Sequence, residues 1–444
     1  MRTIEEHAAA LATGATTSRA LTEACLARIA DSAGEGAAAF TAVHPDAART
    51  MADAADALRR AGRAPGRYAG IPIAVKDLFD IAGETTRAGS RALADAPAAT
   101  TTAPTVARMI AAGFVPVGRT NMSEFAYSGL GINPHYGTPR APWDRGAGRI
   151  PGGSSSGTAV AVADGMAVAG LGTDTGGSCR IPAAYCGVVG YKPTARRVPL
   201  TGALPLAPSL DSIGPLAPSV ACCAVIDAVL SGETPAPPDP MPLAGLRFAV
   251  PEALLDGMDA DVATAFARAL AVLSVAGATI RHATFAAFAQ IAEAGALGGF
   301  AAAEAYAWHR RLLADKAALY DPRIRVRIER GGKQSAADYL DLLAARARII
   351  AGFDAAARGF DALILPTVAI VPPRIADLDA EADYNRLNLL SLRNTAPANF
   401  LDRCAISLPC HRPGEPPVGL MLMGETMGDA RLFAIAAAVE AALG

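Results

Sequence analysis

Apolar residues return along the first part of the chain at two different intervals. TTSRALTEACLARIA places Leu21, Ala24, Cys25, Arg28 and Ile29 at helical spacing behind a Thr-Ser start able to cap free amides, which predicts a helix. PDAARTMADAADALRRAG predicts a second. Past Pro65 and Gly66 the interval shortens. In YAGIPIAVKDLFDIAG, Ile71, Ile73 and Val75 alternate and predict a short buried strand. TAPTVARMIAAG then reads as a helix and FVPVGRT as a strand, and this strand–helix–strand rhythm predicts an α/β body.

Residues 133–153 are rich in Gly, Pro and Arg and predict an ordered loop feeding a small-residue helix, SGTAVAVADGMA. The prolines of residues 232–245 predict a surface connection, after which LRFAV reads as a strand. Helices are predicted for AAEAYAWHRRLLADKAALY, SAADYLDLLAARARIIAGFDAAARGF and DARLFAIAAAVEAAL. DALILPTVAIVPP predicts a buried strand with a proline exit. No internal repeat is present, and one domain over residues 1–444 is expected.

Composition narrows the function classes. Hydrophobic residues make up 52% and the formal net charge is -2, so a large core is available and no basic footprint points to nucleic acid. The first residues lack the apolar run of a signal peptide, and no stretch of about 20 mostly apolar residues predicts a membrane helix. The seven cysteines form no C-x-x-C pair and no cluster with histidine at metal-binding spacing. Reduced thiols and a cytoplasmic location are expected.

One stretch stands out against the alanine-rich background. GTDTGGSCRIP, residues 172–182, sets Ser178 among glycines. A serine nucleophile needs a proton acceptor and donors for the developing oxyanion. Arg180 stands where a G-x-S-x-G elbow requires glycine, and no lysine follows the serines at S-x-x-K spacing. None of the six histidines sits in a motif, although His135 lies in the loop before the glycine-serine run.

Lysine usage offers another base. Among forty basic residues only Lys76, Lys192, Lys316 and Lys333 are lysines. Arginine stays protonated at any working pH, whereas a buried lysine can lose its proton because desolvation disfavours charge. Lys76 directly follows the apolar IPIAV, so it is expected to emerge from a buried strand, where a salt-bridge role also remains open. PGGSSSG, residues 151–157, lacks the G-K-[ST] ending of a phosphate loop. It reads as a serine-capped helix start, and one of its hydroxyls could relay a proton between Lys76 and Ser178.

GIPIAVKDLFD, GGSSSGTAVAVADGMAVAGLGTDTGGSCRIP and GVVGYKPTARRVPLTGALPLAPSLDSIGPLAPS together resemble the amidase signature family of Ser–Ser–Lys hydrolases. The resemblance is dense from about residue 65 to 220 and weaker elsewhere, including GRTNMSEFAYSG, FDALILPT and PVGLMLMG. It implies an α/β amidase signature fold, a large mixed β-sheet covered by helices on both faces. It implies Ser178 as nucleophile of an acyl-enzyme, Ser154 as bridging serine and Lys76 as terminal base. The backbone N–H groups of Thr175, Gly176, Gly177 and Ser178 would form the oxyanion hole, and Gly153–Ser154 would be a cis peptide. Asp174 and Arg180 are expected to brace the loop as an ion pair, and Ser155 to bond within the same network. By family position, Ala126 and Tyr127 would line the substrate pocket.

The chemistry so implied is cleavage of a small carboxamide, carbamate or urea-like bond, with no metal and no organic cofactor required. A glutaminase-like subunit of a tRNA-dependent amidotransferase is the first alternative. A non-catalytic binding protein on the same body is the second. Cys179, where the family usually carries an aliphatic residue, raises a thiol-hydrolase reading that the complete serine network makes unnecessary. A small-molecule partner is expected and no nucleic acid or membrane. A homodimer is common in the family, with no sequence feature marking its surface.

Overall fold

A computed structural model describes residues 1–444. Eleven strands form one sheet: β1 Phe40–Val43, β2 Pro72–Lys76, β3 Val115–Thr120, β4 Ala169–Asp174, β5 Val189–Lys192 and β6 Ser212–Ala217, then β7 Arg247–Pro251, β8 Thr279–Ala283, β9 Ala362–Pro366, β10 Ala405–Pro409 and β11 Gly419–Met423. Their order across the sheet is β1-β3-β2-β4-β6-β5-β10-β11-β9-β7-β8. Strands β3, β2 and β4 are parallel, as are β9, β7 and β8, and the remaining pairs are antiparallel.

The alternation seen in β2 fills both faces of this mixed sheet. Ile73 and Val75 join a core with Val106, Met109, Val225 and Val229, while Ala74 packs with Val160, Val162 and Leu216 on the opposite side. Each Val or Ile fully buried this way contributes about 1.5–3 kcal/mol. Helices therefore cover both faces. The periodic segments form helices Ser18–Ala30, Pro45–Arg60, Pro104–Ala111, Gly299–Lys316, Ala336–Ala356 and Asp429–Leu443. Thr17 caps the first of these by accepting from Ala20 N–H at 3.0 Å. In DALILPTVAIVPP only Ala362–Pro366 is strand, and the chain leaves the sheet at Thr367.

Strands β4 and β6 carry little alternating apolar pattern, because glycines occupy places where a side chain would collide. A Cβ on Gly170 would lie 2.4 Å from Thr158 Cγ2, one on Gly172 2.7 Å from Ser155 Oγ, and one on Gly214 2.0 Å from Tyr191 O. These bare positions let the helix Ser156–Ala163 lie directly on β4, with the serines that precede it at the strand's end. Parallel β2 and β4 run side by side with Val75 opposite Leu171, β2 ending at Lys76 and β4 continuing to Asp174. The carboxyl ends of parallel strands are where open α/β sheets bind ligands.

Candidate active site

Lys76, the last residue of β2, is fully buried. Its Nζ donates to Ser154 Oγ at 2.7 Å and to Thr173 Oγ1 at 2.9 Å, so its hydrogen-bond partners are neutral hydroxyls. Loss of solvent therefore dominates and pushes the amine down to about 7, against the opposing pull of Asp174 and Asp211. A salt-bridge role is not what this site builds. An amine held near neutrality can carry or release a proton at working pH.

Ser154 is fixed by backbone. The Gly153–Ser154 peptide is cis, Ser123 N–H donates to Ser154 O at 3.1 Å, and Gly153 N–H donates to Gly129 O at 2.8 Å. Ser155 ties this turn to the other serine loop, donating from its N–H to Ser178 O at 3.2 Å and from Oγ to Thr173 O at 3.4 Å. Ser178 follows β4 and precedes the helix Arg180–Cys186.

The four amides expected as oxyanion donors divide three to one. Gly177 N–H donates to Asp174 Oδ1 at 2.8 Å, and Thr395 Oγ1 donates to Gly176 O at 2.6 Å, so the peptide between the two glycines is held at both ends. The N–H groups of Thr175, Gly176 and Ser178 make no hydrogen bond within the protein. Gly177 thus departs from the sequence expectation. A carboxylate buried as deeply as Asp174 must be satisfied by nearby donors, and the Gly177 amide is one of them. Gly177 itself has φ +135°, and a Cβ there would come within 2.2 Å of Thr395 Oγ1.

Asp174 and Arg180 are both fully buried and pair at 2.8 Å. Burial alone would raise the Asp174 carboxyl, but the Arg180 guanidinium outweighs it and holds the group at about 2. Arg180 also donates to Thr395 O at 2.9 Å and to Asn399 Oδ1 at 2.7 Å, and Asn399 Nδ2 donates back to Asp174 O at 2.9 Å. Cys179 sits in the apolar core with its Sγ donating to Gly214 O at 3.6 Å. Burial pushes its thiol far above the ordinary range, which denies it the thiolate a cysteine nucleophile needs. His135 pairs with Glu124 at 3.0 Å rather than with any of these serines.

A cavity of about 210 Å³ opens on Ser178, and Ala126, Tyr127, Thr175 and Gly176 stand in its wall. Ile291, Phe300, Leu392 and Phe400 make the rest of the lining mainly apolar. Arg327 adds a charge: its Nη1 donates to Tyr127 O at 2.8 Å, its guanidinium lies 5.1 Å from the centre of the Tyr127 ring, and it forms no ion pair. Thr173, Asp211, Arg327, Thr395 and Asn399 received no role from the sequence. Thr173 lies inside the quoted motif and Asp211 inside LDSIGP. Thr395 and Asn399 act from more than two hundred positions away, and no local pattern marks them.

The buried amine of Lys76 thus meets a serine hydroxyl beside the Ser178 loop, and the one histidine of the neighbouring loop is taken up by Glu124. The family model described as Amidase matches residues 20–433. The 2-amino-5-chloromuconic acid deaminase of Comamonas testosteroni is 39% identical over 89% of this chain and 87% of its own. A glutamyl-tRNA(Gln) amidotransferase subunit from Chloroflexus aggregans is 36% identical over 99% of this chain and 96% of its own. Among solved structures, a crystal structure of an amidase superposes with a TM-score of 0.90 at 34% identity, covering 100% of both chains. Native peptide amidase from Stenotrophomonas maltophilia gives a TM-score of 0.79 at 28% identity, covering 99% of this chain and 96% of its own. The chain belongs to the Amidase family, and it is a hydrolase acting on amide C–N bonds.

Proposed function

We propose that the protein hydrolyses a small carboxamide that carries a carboxylate, through a Ser178 acyl-enzyme with Lys76 as base. The observation that carries this reading is the 2.7 Å contact between the fully buried Lys76 amine and Ser154. Neutral Lys76 takes the Ser154 proton while Ser154 takes that of Ser178, whose Oγ attacks the amide carbon. The oxyanion forms beside the free N–H groups of Thr175, Gly176 and Ser178, each such donor being worth about 2.7–4 kcal/mol in the transition state. The relayed proton returns to the nitrogen, the C–N bond breaks, and ammonia or an amine departs. Water then attacks the ester by the same route and frees the acid.

Arg327 supports the carboxylate. A guanidinium without an ion pair in the wall of an apolar cavity favours an anionic group there. The relative from Comamonas is named for action on an acid, which agrees in chemistry. The likeness to an amidotransferase subunit supports a second reading, in which the amide is glutamine and companion subunits are required. The seven cysteines are all buried and unpaired, which supports a cytoplasmic location. No helix is long and apolar enough to cross a membrane.

Ammonia release by the purified chain decides between the readings. Succinamate, glutaramate, glutamine, butyramide and benzamide form the panel, with Ser178→Ala as control. Turnover of succinamate or glutaramate that disappears in the control supports a self-sufficient enzyme. Activity with glutamine alone favours the amidotransferase reading. Equal rates for butyramide and succinamate would remove the carboxylate from the proposal.

A further inference from the structure

A second, smaller cavity of about 100 Å³ meets the Ser178 cavity across three shared residues, Ala126, Thr175 and Leu206. Its walls include Thr173, Leu204, Pro208 and Asp211, and neither Ser178 nor Arg327 belongs to it. Thr173 is the hydroxyl that accepts from Lys76 Nζ at 2.9 Å, so this lobe reaches the base while the larger one reaches the cation. We propose that the smaller lobe is the leaving-group site and that it restricts the enzyme to amides of ammonia or a very short amine, with Leu204 as the limiting side chain.

Proton traffic sets the direction. The C–N bond breaks when the nitrogen receives the proton that Lys76 holds, delivered through Ser154. The departing nitrogen must therefore face the Lys76 side of the carbonyl, while the acyl group extends the other way. The apolar cavity with Arg327 is the larger space and takes the acyl group. The lobe beside Thr173 takes what leaves. The lobe has less than half the volume of the acyl cavity, about 100 Å³ against about 210 Å³, so it favours ammonia or methylamine over an aromatic amine.

The lobe is also rigid. Asp211 accepts from Thr175 Oγ1, from Leu206 N–H at 3.0 Å and from Ala207 N–H at 3.1 Å. One carboxylate thus ties the wall at residues 206–207 to Thr175, a residue that supplies a free amide at the reacting carbonyl. A bulky amine cannot move that wall without disturbing Thr175. The restriction should appear as lost turnover as well as weakened binding.

This inference rests on Ser178 and Lys76 acting as described above. The test compares glutaramate with its N-methyl and N-benzyl amides, using wild type, Leu204→Ala and Pro208→Ala. Wild type should prefer the primary amide over the N-benzyl amide by at least about 100-fold in kcat/KM, with the N-methyl amide in between. Leu204→Ala, at a half-buried position, should narrow that ratio at least about tenfold by raising N-benzyl turnover, and Pro208→Ala should narrow it in the same sense. Ser178-dependent turnover of all three amides within about threefold overturns the leaving-group site and leaves the amidohydrolase reading intact. A ratio unchanged in both variants overturns it equally. No turnover of these amides or of any amide in the panel above, with Ser178→Ala indistinguishable from wild type, removes the Ser178 mechanism and this inference with it.

Discussion

Lys76→Met should make the protein more stable relative to wild type at neutral pH than at alkaline pH. The Lys76 amine falls from 10.5 in a free chain to about 7 in the folded protein. That difference corresponds to about 5 kcal/mol of penalty against the charged form. Between those two values the unfolded chain binds one proton more than the folded one, so wild-type stability rises with pH. From pH 7 to pH 9 the rise amounts to about 2 kcal/mol, and below pH 7 it flattens because both states hold the proton. Methionine has no proton to lose. It also deprives the Ser154 and Thr173 hydroxyls of their partner, at a cost of about 1–3 kcal/mol each that does not depend on pH in this range. The stability of the variant minus that of wild type should therefore fall by about 2 kcal/mol between pH 7 and pH 9. Urea unfolding at fixed pH reads this directly, provided both proteins show the same slope against urea. A difference that stays constant across the range would refute the claim that folding desolvates and discharges Lys76.

Activity should follow the same titration: kcat/KM for a primary amide should climb about tenfold per pH unit below about 7 and level off above it, as a base that must be neutral requires. Cys179→Ala should keep kcat within about threefold of wild type while costing about 1 kcal/mol of stability for a small buried side chain, and iodoacetamide should not inactivate the wild type. Asp174→Asn leaves Arg180 charged and buried without its partner, so it should destabilise by about 3–5 kcal/mol in urea unfolding.

Site and sheet were legible by different routes. The scarcity of lysine draws attention to Lys76, the family resemblance adds Ser154 and Ser178, and the structure brings the Lys76 amine to 2.7 Å from Ser154 Oγ. The strands β2 and β3 show themselves by alternation because side chains fill both of their faces. Strands β4 and β6 do not, because close backbone approach at Gly170, Gly172 and Gly214 excludes the apolar side chains that make a strand readable. The Gly177 amide, expected as an oxyanion donor, meets Asp174 for a related reason. A motif shows which amides lie near the serine, but not which of them a buried carboxylate consumes. Arg327 was invisible because its meaning depends on the cavity it faces and on the missing ion pair, and neither is a local property of the chain.

The bonds from Arg180 to Asn399 and Thr395 have a consequence for how the enzyme comes into being. They join residues 219 and 215 positions apart. At about 5–20 residues per second, translation needs roughly 10–45 s to travel from one partner to the other. Throughout that interval a nascent chain already owns its lysine and both serines, yet the guanidinium that steadies the Ser178 loop has not met its counterpart. Hydrolytic competence should therefore arrive near the end of synthesis. A fragment ending before residue 395 should contain Lys76, Ser154 and Ser178 and yet show no amide hydrolysis.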